Sequence, residues 1–205
     1  MRRAVGPGLA CLAVALLLPA AAAAGWGSLG CSSPEIPDVY DGAIKRAVHR
    51  YMQAPYKRHF CVVKAQFWTE SRLDPTAVSP AGAGGIAQIM PATFRELQQL
   101  EEVPGGRFSA RTSIQLGTLH LSRQVRFWAA PRSHECRLEL AQASYNAGVG
   151  NIVAAQRESG GRRCWADIAP HLHKVTGRHS HETLAYVSRI WTAWRRLRGW
   201  TIGGQ

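Results

Sequence analysis

Residues 58–93 read RHFCVVKAQFWTESRLDPTAVSPAGAGGIAQIMPAT, and this stretch decides the fold. Its first part has an apolar body and predicts a helix that ends before Pro75, because the residue preceding a proline is pushed out of helical geometry. Residues 76–90 are rich in glycine and other small residues, which predicts a loop or a short hairpin. Pro91 suits the first turn of a following helix. The stretch therefore predicts two helices joined by a compact loop.

The chain on either side of this stretch has the apolar spacing of helices. Predicted helices cover 39–53, 58–72, 91–102, 108–130, 136–147, 150–159, 165–173 and 181–198. Val39 and Phe127 count among the apolar positions of their helices, and Ser180 is placed to cap the last one. No segment shows the sustained alternation of a strand. We therefore expect a mainly α domain with a minimal β element in 76–90.

Composition and charge exclude several classes of protein. The chain has 205 residues, a net charge of +12 and 46% hydrophobic residues, which fits one domain and excludes a disordered chain. No apolar run of about 18 residues follows the first 24, so a multi-span membrane protein is excluded as well. The positive charge favours an anionic polymer as partner: nucleic acid, cell wall or a membrane surface.

The amino terminus has the order of a secretory signal peptide, with a basic start, an apolar run at 9–19 and small residues at 20–24. We expect cleavage near residues 22–24, export to the periplasm and no integral membrane span afterwards. A membrane anchor is the alternative, but the run is short and no stop-transfer charges follow it. A lipoprotein at Cys31 is disfavoured, because Ser28 stands where a lipobox has Leu. The predicted organisation is a signal peptide at 1–24, an extended arm at 25–38, one domain at 39–199 and a tail at 200–205.

Four cysteines remain after cleavage, and an even count in an exported chain suggests two disulfides. If the helices that flank Gly148 form a hairpin, Cys136 and Cys164 fall at its open end and are expected to pair. Cys31 and Cys61 would then pair with each other. Cys61 with Cys136 is the rival pairing. Zinc is a further alternative, but no CxxC or paired Cys/His spacing supports it.

Glu70 is the first candidate for chemistry. It lies near the end of its predicted helix, after an apolar run that includes Phe67 and Trp68. Apolar surroundings favour the neutral form of a carboxyl and so raise its pKa. A general acid for glycoside cleavage needs this, since it must carry a proton near neutral pH. The alternative is a solvated glutamate at a helix end.

Two other segments carry polar groups in unusual settings. Gln88 lies between Ile86 and Met90, in a loop whose glycines permit close approach of the backbone to a ligand. Residues 144–148, Ser-Tyr-Asn-Ala-Gly, end a helix with an aromatic ring, an amide and a glycine. Each segment also has a simpler interpretation. The first could be a surface loop with a solvated glutamine, and the second an ordinary helix end.

Together these segments resemble the signature motifs of the soluble-lytic-transglycosylase-type murein transglycosylases. The motifs, in the family's order, are Glu-Ser at 70–71, SPAGAGGIAQIMPAT at 79–93, Ser-Tyr-Asn-Ala-Gly at 144–148 and Glu-Thr-Leu-Ala-Tyr-Val at 182–187. The resemblance covers roughly residues 39–197. Gly-Ile-Ala-Gln at 85–88 departs from the family's Gly-Leu-Met-Gln, and Ser144 replaces its Ala. Neither departure removes a reactive group.

The resemblance implies a lysozyme-like α domain that cleaves the β-1,4 bond between N-acetylmuramic acid and N-acetylglucosamine in peptidoglycan. It implies that Glu70 acts first as an acid and then as a base, leaving a 1,6-anhydro muramic end. The substrate-binding residues that it implies are Ser79, Gln88, Met90, Tyr145, Asn146 and Tyr186. The supporting residues are Ser71, Gly85 and Glu182. No cofactor and no metal are expected.

Several residues keep a second interpretation. Asp74 is a second carboxylate near Glu70, but Pro75 suggests a capping role for it. Tyr186 also fits a core position. The histidines His171, His173, His179 and His181 cluster but lack the spacing of a metal motif, which favours surface residues. The tryptophans Trp191, Trp194 and Trp200 favour core and rim positions over a sugar platform.

Other functions stay open beside the transglycosylase. A muramidase that uses water is the first, a non-catalytic wall-binding or secretion-channel accessory protein the second, and an exported nucleic-acid binder the third. Intact Glu70 disfavours the accessory protein, and the absence of a nucleic-acid motif disfavours the last. Small exported enzymes of this family often accompany conjugation or secretion machines, so their components are expected partners beside peptidoglycan. We expect a monomer.

Overall fold

The computed structural model describes residues 30–199, so the predicted signal peptide and the tail at 200–205 lie outside the described residues. Within that range the chain forms nine α-helices. They are α1 (Asp41–Tyr51), α2 (Phe60–Ser71), α3 (Pro91–Glu101), α4 (Ala110–Phe127), α5 (His134–Ala147), α6 (Val149–Glu158), α7 (Trp165–Ile168), α8 (His173–Thr176) and α9 (Ser180–Leu197). Short 3₁₀ turns lie at 56–58, 169–171 and 177–179. The prediction of a mainly α domain is confirmed.

Helix α2 is the centre of the molecule. Its residues from Val62 to Phe67 are all buried, including the polar Lys64 and Gln66, so the core encloses the helix on all sides. It packs most extensively against α9, while α4 lies against α1 and α5. Glu70 therefore projects from the last turn of a helix that the core holds on every side.

The loop over 76–90 is the minimal β element that the sequence predicts. Isolated antiparallel bridges join Val78 to Gly84 and Gly84 to Ile89. Gly85 has a φ of +77°, and a Cβ there would lie 2.3 Å from the carbonyl oxygen of Arg107. Only glycine fits this backbone geometry and this close approach. The loop is thereby pressed against the segment that leads into α4.

Two helix predictions differ from the structure in their apolar positions. Val39 precedes α1, which begins at Asp41, and its side chain is 75% exposed. Phe127 is the last residue of α4 and is 56% exposed, with its ring edge-on to Trp128 at 5.2 Å between centroids. Apolar spacing assigned both residues to the buried face, but each lies at a helix end that the core does not cover.

The prediction of one helix over 165–173 is wrong. The chain there forms α7, a 3₁₀ turn and then α8. Pro170 lies in the turn, and its missing N–H prevents a continuous α-helix. The capping role of Ser180 is wrong too, because Ser180 is itself helical and its hydroxyl donates to the carbonyl of Gly177 at 2.8 Å.

Disulfides and ion pairs connect the amino-terminal arm before α1 and the helix ends to the rest of the domain. Disulfides join Cys31 to Cys61 and Cys136 to Cys164, the pairs that the hairpin argument predicts, with Cα–Cα distances of 5.7 and 4.8 Å. Fully buried Lys64 forms ion pairs with Asp38 and with Asp41, the latter at 2.7 Å. A buried ammonium needs such partners, since an unpaired one is costly.

Membrane spans and metal clusters are both absent from the described residues. Across residues 30–199, no helix combines the length and the apolarity that crossing a membrane requires. Over the same range, no three His, Cys, Asp or Glu side chains are grouped so as to hold a metal ion.

Candidate active site

A cleft of about 330 Å³ opens where α2, the loop over 76–90, the end of α5 and the first half of α9 meet. It brings together most of the residues that the sequence indicates. Its walls are formed by Thr69, Glu70, Ser79, Ala81, Ala83, Gln88, Met90, Tyr145, Asn146, Glu182, Tyr186 and Arg189.

The carboxyl of Glu70 has an unusual pKa in this cleft. Its side chain is only partly exposed, and burial raises the pKa of Glu70 from its ordinary value near 4.5 to about 8. The hydrogen bond from Tyr186 and the charge of Arg189 both lower this pKa, and the charge of Glu182 raises it. Burial outweighs the two lowering effects, so Glu70 is mainly protonated at neutral pH.

Tyr186 holds the carboxyl of Glu70 in place. Its hydroxyl donates to Oε1 of Glu70 at 2.5 Å. The side chain is only 3% exposed, and burial raises the pKa of Tyr186 well above its ordinary value of 10. The phenol therefore keeps its proton and donates a hydrogen bond to Glu70.

Tyr145 fastens the loop over 76–90 to α5. Its hydroxyl donates to the carbonyl of Ala87 at 2.7 Å, and its ring lies against that of His120, 4.7 Å between centroids. Desolvation lowers the pKa of His120 to about 4, so this ring is neutral. Tyr145 thus fixes the loop and also presents its ring to the cleft.

Asn146 is held in one orientation by the first turn of α9. The hydroxyl of Thr183 donates to its Oδ1 at 2.7 Å, and its Nδ2 donates to Oε1 of Glu182 at 3.5 Å. Thr183 is buried, while Glu182 is exposed at the rim. An amide fixed in this way presents a set donor and acceptor pattern to a ligand.

Three of the residues predicted in the 79–90 segment line the cleft. Gln88 and Ser79 line the cleft and also brace the loop. Nε2 of Gln88 donates to the carbonyls of Ala77 and Gly85, at 3.1 and 2.9 Å, and Ser79 Oγ accepts from the N–H of Ala83 at 3.0 Å. Met90 is 43% exposed at the wall.

Neither Ser71 nor Gly85 lines the cleft: Ser71 lies at the end of α2, and Gly85 lies in the part of the loop that packs against the segment leading into α4. Ser71 Oγ donates to the carbonyl of Ile86 at 2.8 Å, which ties the end of α2 to the loop. Ser113 Oγ accepts from the N–H of Ala87 at 3.0 Å on the α4 side. Both sides of the loop are therefore fixed relative to Glu70.

Some of the candidate residues considered from the sequence lie outside the cleft. Asp74 is exposed and accepts hydrogen bonds from the N–H and hydroxyl of Thr76, at 2.8 and 2.7 Å, which lower its pKa. It has the local role that Pro75 suggests and does not line the cleft. Trp191 and Trp194 line a separate groove beside Trp165. Trp200 lies outside the described residues.

Among the residues that sequence reasoning did not single out, Thr69 and Arg189 line the cleft. Thr183 and His120 contact two of its residues, Asn146 and Tyr145. Arg189 follows Tyr186 by three positions, so helical spacing places it on the same face of α9 and could have found it. Thr183 lies within the Glu-Thr-Leu-Ala-Tyr-Val motif, which also pointed to it. His120 carries no such signal, since only the packing of α4 against α5 brings it to Tyr145.

Solved structures resemble the whole domain. The crystal structure of the 70 kDa soluble lytic transglycosylase SLT70 from Escherichia coli matches with a TM-score of 0.63 and 24% identity, covering 80% of this chain and 25% of that one. A complex of the 70 kDa soluble lytic transglycosylase with bulgecin A matches with the same TM-score and identity, over 82% of this chain and 25% of that one. The likeness confirms the lysozyme-like fold that the motifs imply.

Sequence relatives and a family model agree with this likeness. The membrane-bound lytic murein transglycosylase F of Erwinia tasmaniensis is 24% identical over 162 residues, 72% of this chain and 31% of that protein. The soluble lytic murein transglycosylase of Salmonella typhimurium is 32% identical over 98 residues, 45% of this chain and 14% of that protein. The chain thus spans less than a third of the length of these relatives. The model of the transglycosylase SLT domain matches residues 50–168, and the chain belongs to this family.

Proposed function

We propose that this chain is a peptidoglycan lytic transglycosylase. It cleaves the β-1,4 bond between N-acetylmuramic acid and N-acetylglucosamine and leaves a 1,6-anhydro ring on the muramic end. One observation carries the proposal: Glu70, with a pKa of about 8, lies in a cleft and is held by Tyr186 at 2.5 Å. A single carboxyl that carries its proton at neutral pH is what the first step requires.

In the first step, protonated Glu70 donates its proton to the glycosidic oxygen while the bond from that oxygen to the anomeric carbon breaks. The N-acetylglucosamine side leaves as an alcohol. Positive charge grows at the anomeric carbon, and the substrate's own N-acetyl group stabilises it. Glu70 is left as a carboxylate, which Tyr186 and the positive charge of Arg189 both favour.

In the second step, the carboxylate of Glu70 removes the proton from the C6 hydroxyl of the muramic residue. The C6 oxygen bonds to the anomeric carbon and closes the anhydro ring. Glu70 is protonated again, so it ends the cycle in its starting state and no water is consumed. The Tyr186 hydroxyl keeps the carboxyl in position during both transfers.

A hydrolase is the second candidate, because Glu182 also lines the cleft. Water-using glycosidases generally employ two carboxyls, one of which activates the water or attacks the sugar. Glu182 is exposed and engaged by Asn146, and Asp74 is turned to Thr76 outside the cleft. These contacts favour the reaction that needs Glu70 alone.

The proposal is tested on purified peptidoglycan. The wild-type protein should release muropeptides with anhydro ends, identified by mass spectrometry. Release of reducing ends instead would identify a muramidase. Glu70→Gln should release neither product while its circular dichroism spectrum stays unchanged, because an amide cannot deliver the proton. No release by a correctly folded wild-type protein would favour the non-catalytic wall-binding protein.

The cellular compartment in which the protein acts is part of the same proposal. We infer export to the periplasm through the segment at 1–24, which the two disulfides support because such bonds persist in oxidising compartments. Amino-terminal sequencing of the protein from the periplasm should show a start near residues 23–25.

A role in opening the wall for a conjugation or secretion apparatus rests on the family resemblance alone. If this role is correct, a strain that carries Glu70→Gln should lose the DNA transfer or protein secretion that the apparatus performs.

A further inference from the structure

A second pocket adjoins the cleft and is lined by arginines. We call it the arginine pocket; its volume is about 200 Å³. Its lining consists of Trp68, Thr69, Arg72, Ser188, Arg189, Thr192, Ala193 and Arg196. Thr69 and Arg189 line both the arginine pocket and the cleft, so the two spaces are neighbours beside Glu70.

The arginine pocket forms between the last turns of α2 and the middle of α9. Arg72 ends α2 with a left-handed backbone, at a φ of 58°, and its guanidinium lies over the ring of Trp68 at 4.7 Å from the centroid. Arg189 and Arg196 are seven positions apart on α9, which places them on one face of that helix. Two helices thus supply three guanidinium groups to one small space.

In the described part of the chain, two of the three arginines of the arginine pocket have no ion-pair partner. Arg196 forms an ion pair with Glu35 at 2.8 Å. Within residues 30–199, neither Arg72 nor Arg189 forms an ion pair, and both side chains are exposed. No carboxylate lines the arginine pocket, whereas three hydroxyls do, one of which, that of Thr69, already donates to a backbone carbonyl at 2.9 Å. Guanidinium groups and hydroxyls without a carboxylate are the donors that an anionic ligand requires.

We propose that the arginine pocket binds a carboxylate of the peptide stem attached to the muramic residue in the cleft. This inference rests on the proposed function, because it is the substrate that brings the stem. The lactyl group of muramic acid carries the stem, and the stem carries free carboxylates. Because Thr69 and Arg189 line both spaces, a stem that leaves the cleft past these two residues reaches the arginine pocket. Guanidinium groups bind carboxylates through paired hydrogen bonds.

The arginine pocket then determines which strands the protein prefers. A stem with free carboxylates gains these hydrogen bonds, and a stem whose carboxyl groups are amidated does not. Because the chain carries a net charge of +12, any anionic strand is also attracted without a specific site. The test must therefore separate the arginine pocket from the overall charge.

The probes are glycan strands with uncrosslinked peptide stems, either with free carboxyl groups or with the same groups amidated. Binding is measured by calorimetry with the Glu70→Gln protein, so that no cleavage occurs and the result does not depend on the chemistry. We expect the free-carboxyl strands to bind about tenfold more tightly than the amidated ones. Adding Arg72→Gln should remove most of this ratio, and Arg72→Lys should retain more of it.

Arg157→Gln is the matched control, since Arg157 is exposed on α6 and lines neither the cleft nor the arginine pocket. It removes the same charge and should leave the ratio unchanged. An equal ratio in the Arg72→Gln and Arg157→Gln proteins, or no preference in the parent protein, would overturn the inference. Failure of the proposed function would look different: strands would bind with the expected preference, while the wild-type protein released no anhydro ends.

Discussion

Tyr186 and Glu70 lie 116 residues apart in the chain, yet the hydroxyl of one donates to the carboxyl of the other at 2.5 Å. The pair spans the interface between α9 and α2, the most extensive helix contact in the described residues. The position of the acid is therefore set by core packing and not by a loop. Its raised pKa has the same origin, because burial at this interface removes the carboxyl from water.

Tyr186→Phe should retain the fold and lower kcat by about tenfold or more, since it removes a hydrogen bond that stabilises the Glu70 carboxylate formed in the first step of the proposed reaction. The alkaline limb of the pH–rate profile should move to higher pH, because the hydrogen bond from Tyr186 lowers the pKa of Glu70. Rates measured from pH 5 to pH 10 check both effects. A lower kcat with an unmoved alkaline limb would mean that Tyr186 acts only through packing.

The raised pKa of Glu70 also makes stability depend on pH. The folded protein holds this proton up to about pH 8, while the unfolded chain releases it near its ordinary value of 4.5. The free energy of unfolding should therefore fall as pH rises through this window. Glu70→Gln removes the ionisation, so its Tm should exceed that of the wild type at pH 9 by more than at pH 4.

The control for this measurement is Glu102→Gln, which changes an exposed carboxyl outside the cleft. Its Tm difference from the wild type should not grow between pH 4 and pH 9. Equal differences for Glu70→Gln at the two pH values would show that Glu70 ionises normally in the folded protein, and the acid role would then lose its basis.

Gly85→Ala should destabilise the protein by about 2–4 kcal/mol, since a positive φ and a Cβ clash combine. The new Cβ would lie 2.3 Å from the carbonyl oxygen of Arg107 and 2.8 Å from Ser113 Oγ. Urea unfolding provides the measurement. Gly150→Ala in α6 is the control, with no heavy atom within 4 Å of the new Cβ. It should be neutral or stabilising by up to about 1 kcal/mol, and an equal loss in both variants would refute the account of this loop.

The disulfide between Cys136 and Cys164 links the two ends of the α5–α6 hairpin, far from the corner that carries Tyr145 and Asn146. Replacing both cysteines by serine should cost about 2–4 kcal/mol of stability, measured by urea unfolding under oxidising conditions. Non-reducing peptide mapping should recover the 31–61 and 136–164 bridged peptides. A bridged peptide that contains Cys61 and Cys136 would contradict both pairings.

Much of the fold could be predicted from local sequence signals. Apolar spacing located the helices, and the glycines of 79–90 with Pro91 located the loop and the helix after it. Errors arose at element ends, as at Val39, Phe127 and Ser180. At a helix end, the local spacing of apolar residues does not show whether the core still covers a side chain. It also does not show which group will accept a hydrogen bond from a hydroxyl.

The site could be predicted as a set of residues but not as a geometry. Glu70 stood out because a carboxyl followed an apolar run. Its bond to Tyr186 depends on how α2 and α9 pack, which no spacing within either helix determines. Arg189 and Arg72 looked like ordinary charged residues at helical positions, and only the same packing brings them beside Glu70 in one pocket.

The central claim is that Glu70 cleaves the glycan without consuming water. The most direct measurement is digestion of purified peptidoglycan in water enriched in heavy oxygen, followed by mass spectrometry of the released muropeptides. The account predicts muramic ends that carry the anhydro ring and no heavy oxygen, and no such products with Glu70→Gln. Reducing muramic ends that have taken up heavy oxygen would contradict it, because a water molecule would then have attacked the anomeric carbon.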